Sequence, residues 1–127
     1  MAGVLLLAAI PTAALAEEFQ TPAITVPELL QKQASAQNII VVDLRGSAEY
    51  KSGHVPGAIN IPEARLKKKL DKLQGADSVV LYCLNGKRTR KAEQTLLDHQ
   101  FEHVYHLDGG LMAWREHGHK LKTGWGP

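Results

Sequence analysis

Ile39-Ile40-Val41-Val42 sets four β-branched apolar residues side by side. A strand with one wet face alternates apolar and polar residues. An unbroken apolar run suits a strand covered on both faces. Ser78–Tyr82 (SVVLY) repeats the pattern later in the chain. Two doubly covered strands need helices above and below them, so the segments between should be helical. Pro27 fits the first turn of a helix over Glu28–Gln33, after a short β-like run Ile24-Thr25-Val26. Ser47 can cap a short helix reaching about Lys51. Glu63–Leu73 carries Leu66, Leu70 and Leu73 at helical spacing, with the lysine run 67–69 on its solvated face. Ala58–Asn60 and His103–Leu107 read as short strands, and Arg90–His99 and Leu111–His117 as helices. Strand and helix therefore alternate, which predicts an α/β fold: a mostly parallel central sheet with helices on both faces.

The chain has 127 residues, 44% of them hydrophobic. That supports one core and one domain, placed at residues 20–121, with residues 122–127 expected as a flexible tail. The net charge of +2 does not single out nucleic acid as a partner. The cations also lack the interleaved aromatics of a nucleic-acid surface. Residues 1–16 (MAGVLLLAAIPTAALA) carry no charged side chain and end in a small-x-small pattern. The run is shorter than the roughly 20 apolar residues of a spanning helix. It reads as a signal peptide cleaved after Ala16, although its n-region has no Lys or Arg. The expected location is the periplasm or outside the cell, with no membrane attachment after cleavage. A buried N-terminal helix or an uncleaved anchor is the other reading.

The single cysteine excludes an internal disulfide. Cys83 stands just past the end of the strand Ser78–Tyr82, and Asp43 ends the other buried strand. Ligands of parallel α/β folds bind beyond such strand ends. After Cys83 come Leu84, Asn85, Gly86, Lys87 and Arg88, then a helix with two more cations, Arg90 and Lys91. Cations and a helix N-terminus both lower a thiol pKa. Gly86 permits a tight turn, and successive N–H groups in such a curl form an anion nest. The stretch therefore describes a thiolate cradle that would also hold an anionic substrate. A small buried apolar cysteine would explain neither the glycine nor the cations. Asp43 and Arg45 are expected on opposite faces, so they need not pair. Arg45 could pair with Glu49, and Asp43 could take loop N–H bonds. His54 is expected to pin the loop Gly53–Gly57. The other five histidines, His99, His103, His106, His117 and His119, show no completed metal-ligand spacing and read as surface residues.

Three stretches carry a resemblance: VVDLRGSAEYKSGHVPGAINIP (41–62), LYCLNGKRT (81–89) and LDGGLMAW (107–114). In this order they resemble the signatures of single-domain rhodanese-like proteins, the thiosulfate sulfurtransferases of exported bacterial type. The resemblance implies a rhodanese-like three-layer fold. It implies Cys83 as nucleophile, a persulfide intermediate, and a cradle of Leu84, Asn85, Gly86, Lys87 and Arg88. It implies a small anionic sulfur donor and a thiophilic acceptor such as cyanide or a thiol, no cofactor, and structural roles near the site for Asp43, Arg45 and His54. Two alternatives remain open. A persulfide carrier or sensor handing sulfur to a protein acceptor would show the same motifs. A cysteine phosphatase or arsenate reductase would place Arg six positions after the cysteine, whereas Thr89 stands there.

Overall fold

The computed structural model describes residue 3 and residues 18–127. The signal-peptide expectation for residues 1–16 thus falls outside the described residues apart from Gly3. The elements are β1 (Ala23–Ile24), α1 (Val26–Ala34), β2 (Ile39–Asp43), α2 (Ser47–Ser52), β3 (Ile59–Asn60), two 3₁₀ helices (Glu63–Lys68 and Leu70–Leu73), β4 (Ser78–Tyr82), α3 (Lys87–Asp98), β5 (Val104–Leu107) and α4 (Gly110–Glu116). The five strands form one sheet in the order β1-β5-β4-β2-β3, and every pairing is parallel. β4 lies at its centre and is buried along its whole length.

Side chains of β4 alternate between two apolar layers. Val80 and Tyr82 face a cluster with Ile24, Leu29, Val41, Leu111 and Trp114, which seats α1 and α4. Val79, Leu81 and Cys83 face the other cluster, with Val42, Leu66, Leu73, Ala92 and Leu96, which seats α3 and the 3₁₀ helices. Period-two alternation thus continues one residue past β4 and turns the thiol toward α3. The sheet and the layers match the α/β fold expected from the two apolar runs.

Five local expectations change, one being that α3 starts at Lys87, directly after its cap Gly86, and not at Arg90. Glu63–Leu73 is not an α-helix but two 3₁₀ turns, closed by i→i+3 bonds such as Lys69 N–H to Leu66 O at 2.9 Å. An α-helix here would stack Arg65 on Lys69 and Lys68 on Lys72, and like charges four apart repel. The tighter turns still bury Leu66 and Leu73. In α1, helix geometry begins at Val26, and Thr25 caps it in a capping box with Glu28. Ser47 lies inside α2 instead of capping it: the cap is Gly46, whose N–H donates to Glu49 Oε1 at 3.2 Å. The expected loose tail is fastened. His54 and Lys122 exchange backbone hydrogen bonds of 2.9 Å, and Gly124 N–H donates to Lys51 O at 2.8 Å.

Candidate active site

Cys83 leaves the carboxyl end of β4 and is fully buried. Gly86 follows at φ +99°, a left-handed conformation, and serves as the N-cap of α3. This turn swings the Gly86 N–H onto Cys83 Sγ at 3.0 Å. The first N–H groups of a helix have no partner within it, and here those of Arg88 and Thr89 also point at the sulfur. The Thr89 hydroxyl is buried, has no hydrogen-bond partner among the described residues, and faces the thiol. Burial pushes the Cys83 thiol up. The Thr89 hydroxyl and the N–H groups of Thr89, Gly86 and Arg88 outweigh that push, so the thiol lies below its ordinary value.

The expected cradle of Leu84 to Arg88 is therefore only partly the observed one. Gly86 and Arg88 contribute N–H groups. The Lys87 N–H is drawn to Asn85 Oδ1 at 3.3 Å. Leu84 packs its side chain against the α1/α4 apolar layer. Thr89 completes the ring and was missed in the sequence, although a helix starting after Gly86 places its N–H among the free donors of the first turn.

The loop is held from behind by α4. Leu111 N–H donates to Cys83 O at 2.9 Å. A β-carbon on Gly110 would lie 2.7 Å from both Cys83 O and Leu84 O. With its carbonyls turned toward α4, the loop presents N–H groups to the sulfur.

The side-chain cations divide. Arg88 makes a two-pronged ion pair with Glu49: Nη1 to Oε1 at 2.9 Å and Nη2 to Oε2 at 3.2 Å. This contact holds the Glu49 carboxyl below its ordinary range. Among the described residues no carboxylate pairs with Lys87, which is exposed.

Asp43 and Arg45 were expected apart, yet they form a buried pair. Arg45 Nη2 donates to Asp43 Oδ2 at 2.8 Å, Nε to Oδ1 at 3.0 Å, and the Arg45 backbone N–H to Oδ1 at 2.9 Å. Residues two apart along a strand share a face, which makes the pairing natural. Arg45 Nη2 also donates to Gly53 O at 2.6 Å, and Tyr82 Oη to Asp43 Oδ2 at 2.7 Å. Glu49, the partner suggested for Arg45, goes to Arg88 instead. His54 is buried and stacked on Tyr50. Its Nδ1 lies 2.8 Å from Tyr50 O and its Nε2 2.8 Å from Gly126 O, joining its loop to α2 and to the tail. His106, read from sequence as a surface residue, is buried beside Glu93, with Nδ1 to Oε1 at 3.2 Å.

Comparison with known proteins adds an independent line. The model of the rhodanese-like domain matches residues 25–117. The chain is 31% identical to a sulfurtransferase of Allochromatium vinosum over 90 residues, covering 71% of this chain and 84% of that one. It is 31% identical to the thiosulfate sulfurtransferase GlpE of Shewanella oneidensis over 93 residues, covering 73% and 91%. Several other curated relatives are longer, and the chain spans 29% to 64% of their length. A human single-domain sulfurtransferase superposes with a TM-score of 0.66 at 28% identity, over 76% of this chain and 96% of that one. A thiol on an anion nest at the carboxyl end of a central parallel strand, three signatures in order, and a family match across most of the chain agree: this protein belongs to the rhodanese-like domain family.

Proposed function

We propose that the protein is a sulfurtransferase that carries a sulfane sulfur on Cys83, with thiosulfate or a related anion as donor. The observation that carries this reading is the placing of the buried Cys83 sulfur at the N-terminus of α3, where it accepts the Gly86 N–H at 3.0 Å, an arrangement that lowers the thiol below its ordinary value. The Cys83 thiolate attacks the outer sulfur of thiosulfate. The S–S bond of the donor breaks, its electron pair leaves with sulfite, and Cys83 is left as a persulfide. Cyanide or a thiol then attacks the terminal sulfur and returns Cys83 as thiolate. The N–H groups that stabilise the thiolate would stabilise the persulfide anion as well. Lys87, and Arg88 when it lets go of Glu49, would hold the anionic donor. Asp43, Arg45 and His54 keep the neighbouring loops in place and take no part in proton transfer.

A loop that closes on Thr89 in the position after Arg88 fits one sulfur anion and disfavours the phosphatase and arsenate reductase reading. We read residues 1–16 as an export signal, so the working compartment would be the periplasm or the exterior. The test is intact mass after incubation with thiosulfate, then with cyanide. One added sulfur on Cys83, discharged by cyanide as thiocyanate, is the expected result. A thiol that stays free and unmodified would overturn thiosulfate as donor. Uptake without steady-state turnover would instead favour the carrier that passes sulfur to a protein acceptor.

A further inference from the structure

Gly86 is the softest link of the cradle. Glycine has the largest conformational freedom of any residue, and this one must stay left-handed to keep its N–H on the sulfur. It is nevertheless buried, and what covers it comes from the far end of the chain. A β-carbon on Gly86 would lie 2.7 Å from Phe19 Cζ, so the Phe19 ring rests directly on the Gly86 backbone. The ring stacks on His106, with centroids 3.7 Å apart and planes 7° from parallel. The Arg90 guanidinium sits 5.4 Å from its centroid.

The segment bearing Phe19 is fastened at a second point. Glu93 projects from α3, about two turns beyond Gly86, and is fully buried. Its Oε2 accepts the Gln20 N–H at 2.7 Å, and its Oε1 accepts the Thr21 hydroxyl. Thr21 Oγ1 also lies 3.1 Å from His106 Nδ1. A buried carboxylate needs partners to stay ionised, and among the described residues every partner of Glu93 is either His106 or belongs to residues 20–21. The sulfur-transfer chemistry has no use for this cluster.

We propose that Phe19 is a positioning residue for the sulfur cradle, bracing Gly86 so that its N–H stays on Cys83, and that Glu93 fastens the Phe19–Thr21 segment in that place. The helix that supplies the N–H groups thereby also supplies the anchor for its own brace. A looser Gly86 would turn its N–H away from the sulfur for part of the time, and the thiolate would lose part of its stabilisation. Removing the brace should therefore act on the thiol before it acts on the fold.

The inference rests on Cys83 being the reactive thiol but needs no sulfur donor, so it stands or falls separately from thiosulfate chemistry. Cys83 is the only cysteine, and its alkylation by iodoacetamide as a function of pH reports the thiolate directly. Phe19→Ala should shift the profile to higher pH and slow alkylation at neutral pH by about threefold to tenfold, since a tenfold change in thiolate fraction follows one pKa unit. Phe19→Met, whose side chain reaches about as far, should restore most of the rate. Thr21→Val keeps the ring but loosens the fastening and should shift the profile the same way by less; it decides the question if Phe19→Ala does not fold. A folded Phe19→Ala protein whose profile superimposes on the wild type would overturn the brace, as would a Phe19→Met protein no better than Phe19→Ala. An unshifted Thr21→Val would overturn the fastening, and the brace with it where Phe19→Ala does not fold.

Discussion

Two buried anionic sites stand at the carboxyl ends of neighbouring strands and handle charge in opposite ways. Asp43, ending β2, is bound by a whole counter-charge: the Arg45 guanidinium, with the Arg45 N–H and the Tyr82 hydroxyl filling its remaining positions. Cys83, just past β4, has no side-chain cation bonded to its sulfur among the described residues. Dipoles hold it: N–H groups at the start of α3 and one hydroxyl. A matched ion pair is neutral and saturated, and it leaves nothing for a ligand. A thiolate held by dipoles keeps its charge and its lone pairs. The first arrangement locks loops together and the second keeps a nucleophile available. Substitutions in one site should therefore read out in stability, and substitutions in the other in reactivity.

The largest expected effect is that of Cys83→Ser. Sulfur transfer should vanish, while stability in urea changes by about 1 kcal/mol or less because a small side chain is kept. Substantial residual thiocyanate formation would show that the nucleophile lies elsewhere. Asp43→Asn should do the reverse. It leaves the Arg45 charge buried and uncompensated, at a cost of about 3–5 kcal/mol. Cys83 alkylation in the folded protein should stay within about twofold of wild type, as expected when the thiolate's own hydrogen bonds are untouched. A large loss of reactivity at unchanged stability would break the division between the two sites.

Thr89→Val sharpens the division from the other side. It keeps the shape and removes the buried hydroxyl dipole that faces the charged sulfur. The thiol pKa should rise and alkylation at neutral pH should slow about tenfold, in line with the loss of a dipole that favours the charged form. The stability effect should depend on pH. The folded thiol lies below its value in the unfolded chain. The stabilisation it provides is thus fully present above the unfolded thiol's pKa and is lost as pH falls through the folded one. Thr89→Val should accordingly cost most in alkaline buffer and little in acid. An equal cost at both ends would mean that Thr89 acts by packing alone.

The extent to which the molecule could be read from its sequence follows the same split between local and distant causes. The doubly covered strands were legible because an unbroken β-branched run has few other uses. The thiol at the strand end, the turn at Gly86 and the helix behind it were legible because all lie within a few residues of Cys83. Arg65, Lys68, Lys69 and Lys72 carried a legible warning against an α-helix, and the leucine spacing obscured it. What could not be read joins distant parts of the chain. Phe19 on Gly86, Glu93 on Thr21 and His106, and Glu49 on Arg88 leave no mark in spacing. The Asp43–Arg45 pair was within reach, since the two-residue period of a strand puts both side chains on one face.

The smallest effect concerns the cations at the mouth of the site. Arg88 is tied to Glu49 in a half-exposed pair, whereas no carboxylate pairs with Lys87 among the described residues. Exposed pairs of this kind contribute only about 0–1 kcal/mol, so an arriving anion can compete with Glu49 for the guanidinium at little cost. Glu49 thus acts as an internal rival of the donor. Glu49→Gln should release Arg88 and lower KM for thiosulfate about twofold to fivefold, the range that up to about 1 kcal/mol allows. Turnover at saturation should be unchanged, because the sulfur keeps its N–H groups. Lys87→Ala should raise KM, and both effects should shrink as salt screens the mouth. If Glu49→Gln instead lowered turnover and left KM alone, the Glu49–Arg88 pair would belong with Asp43–Arg45 as a structural clasp. The charge that greets the donor would then come from Lys87 and the dipoles of α3 alone.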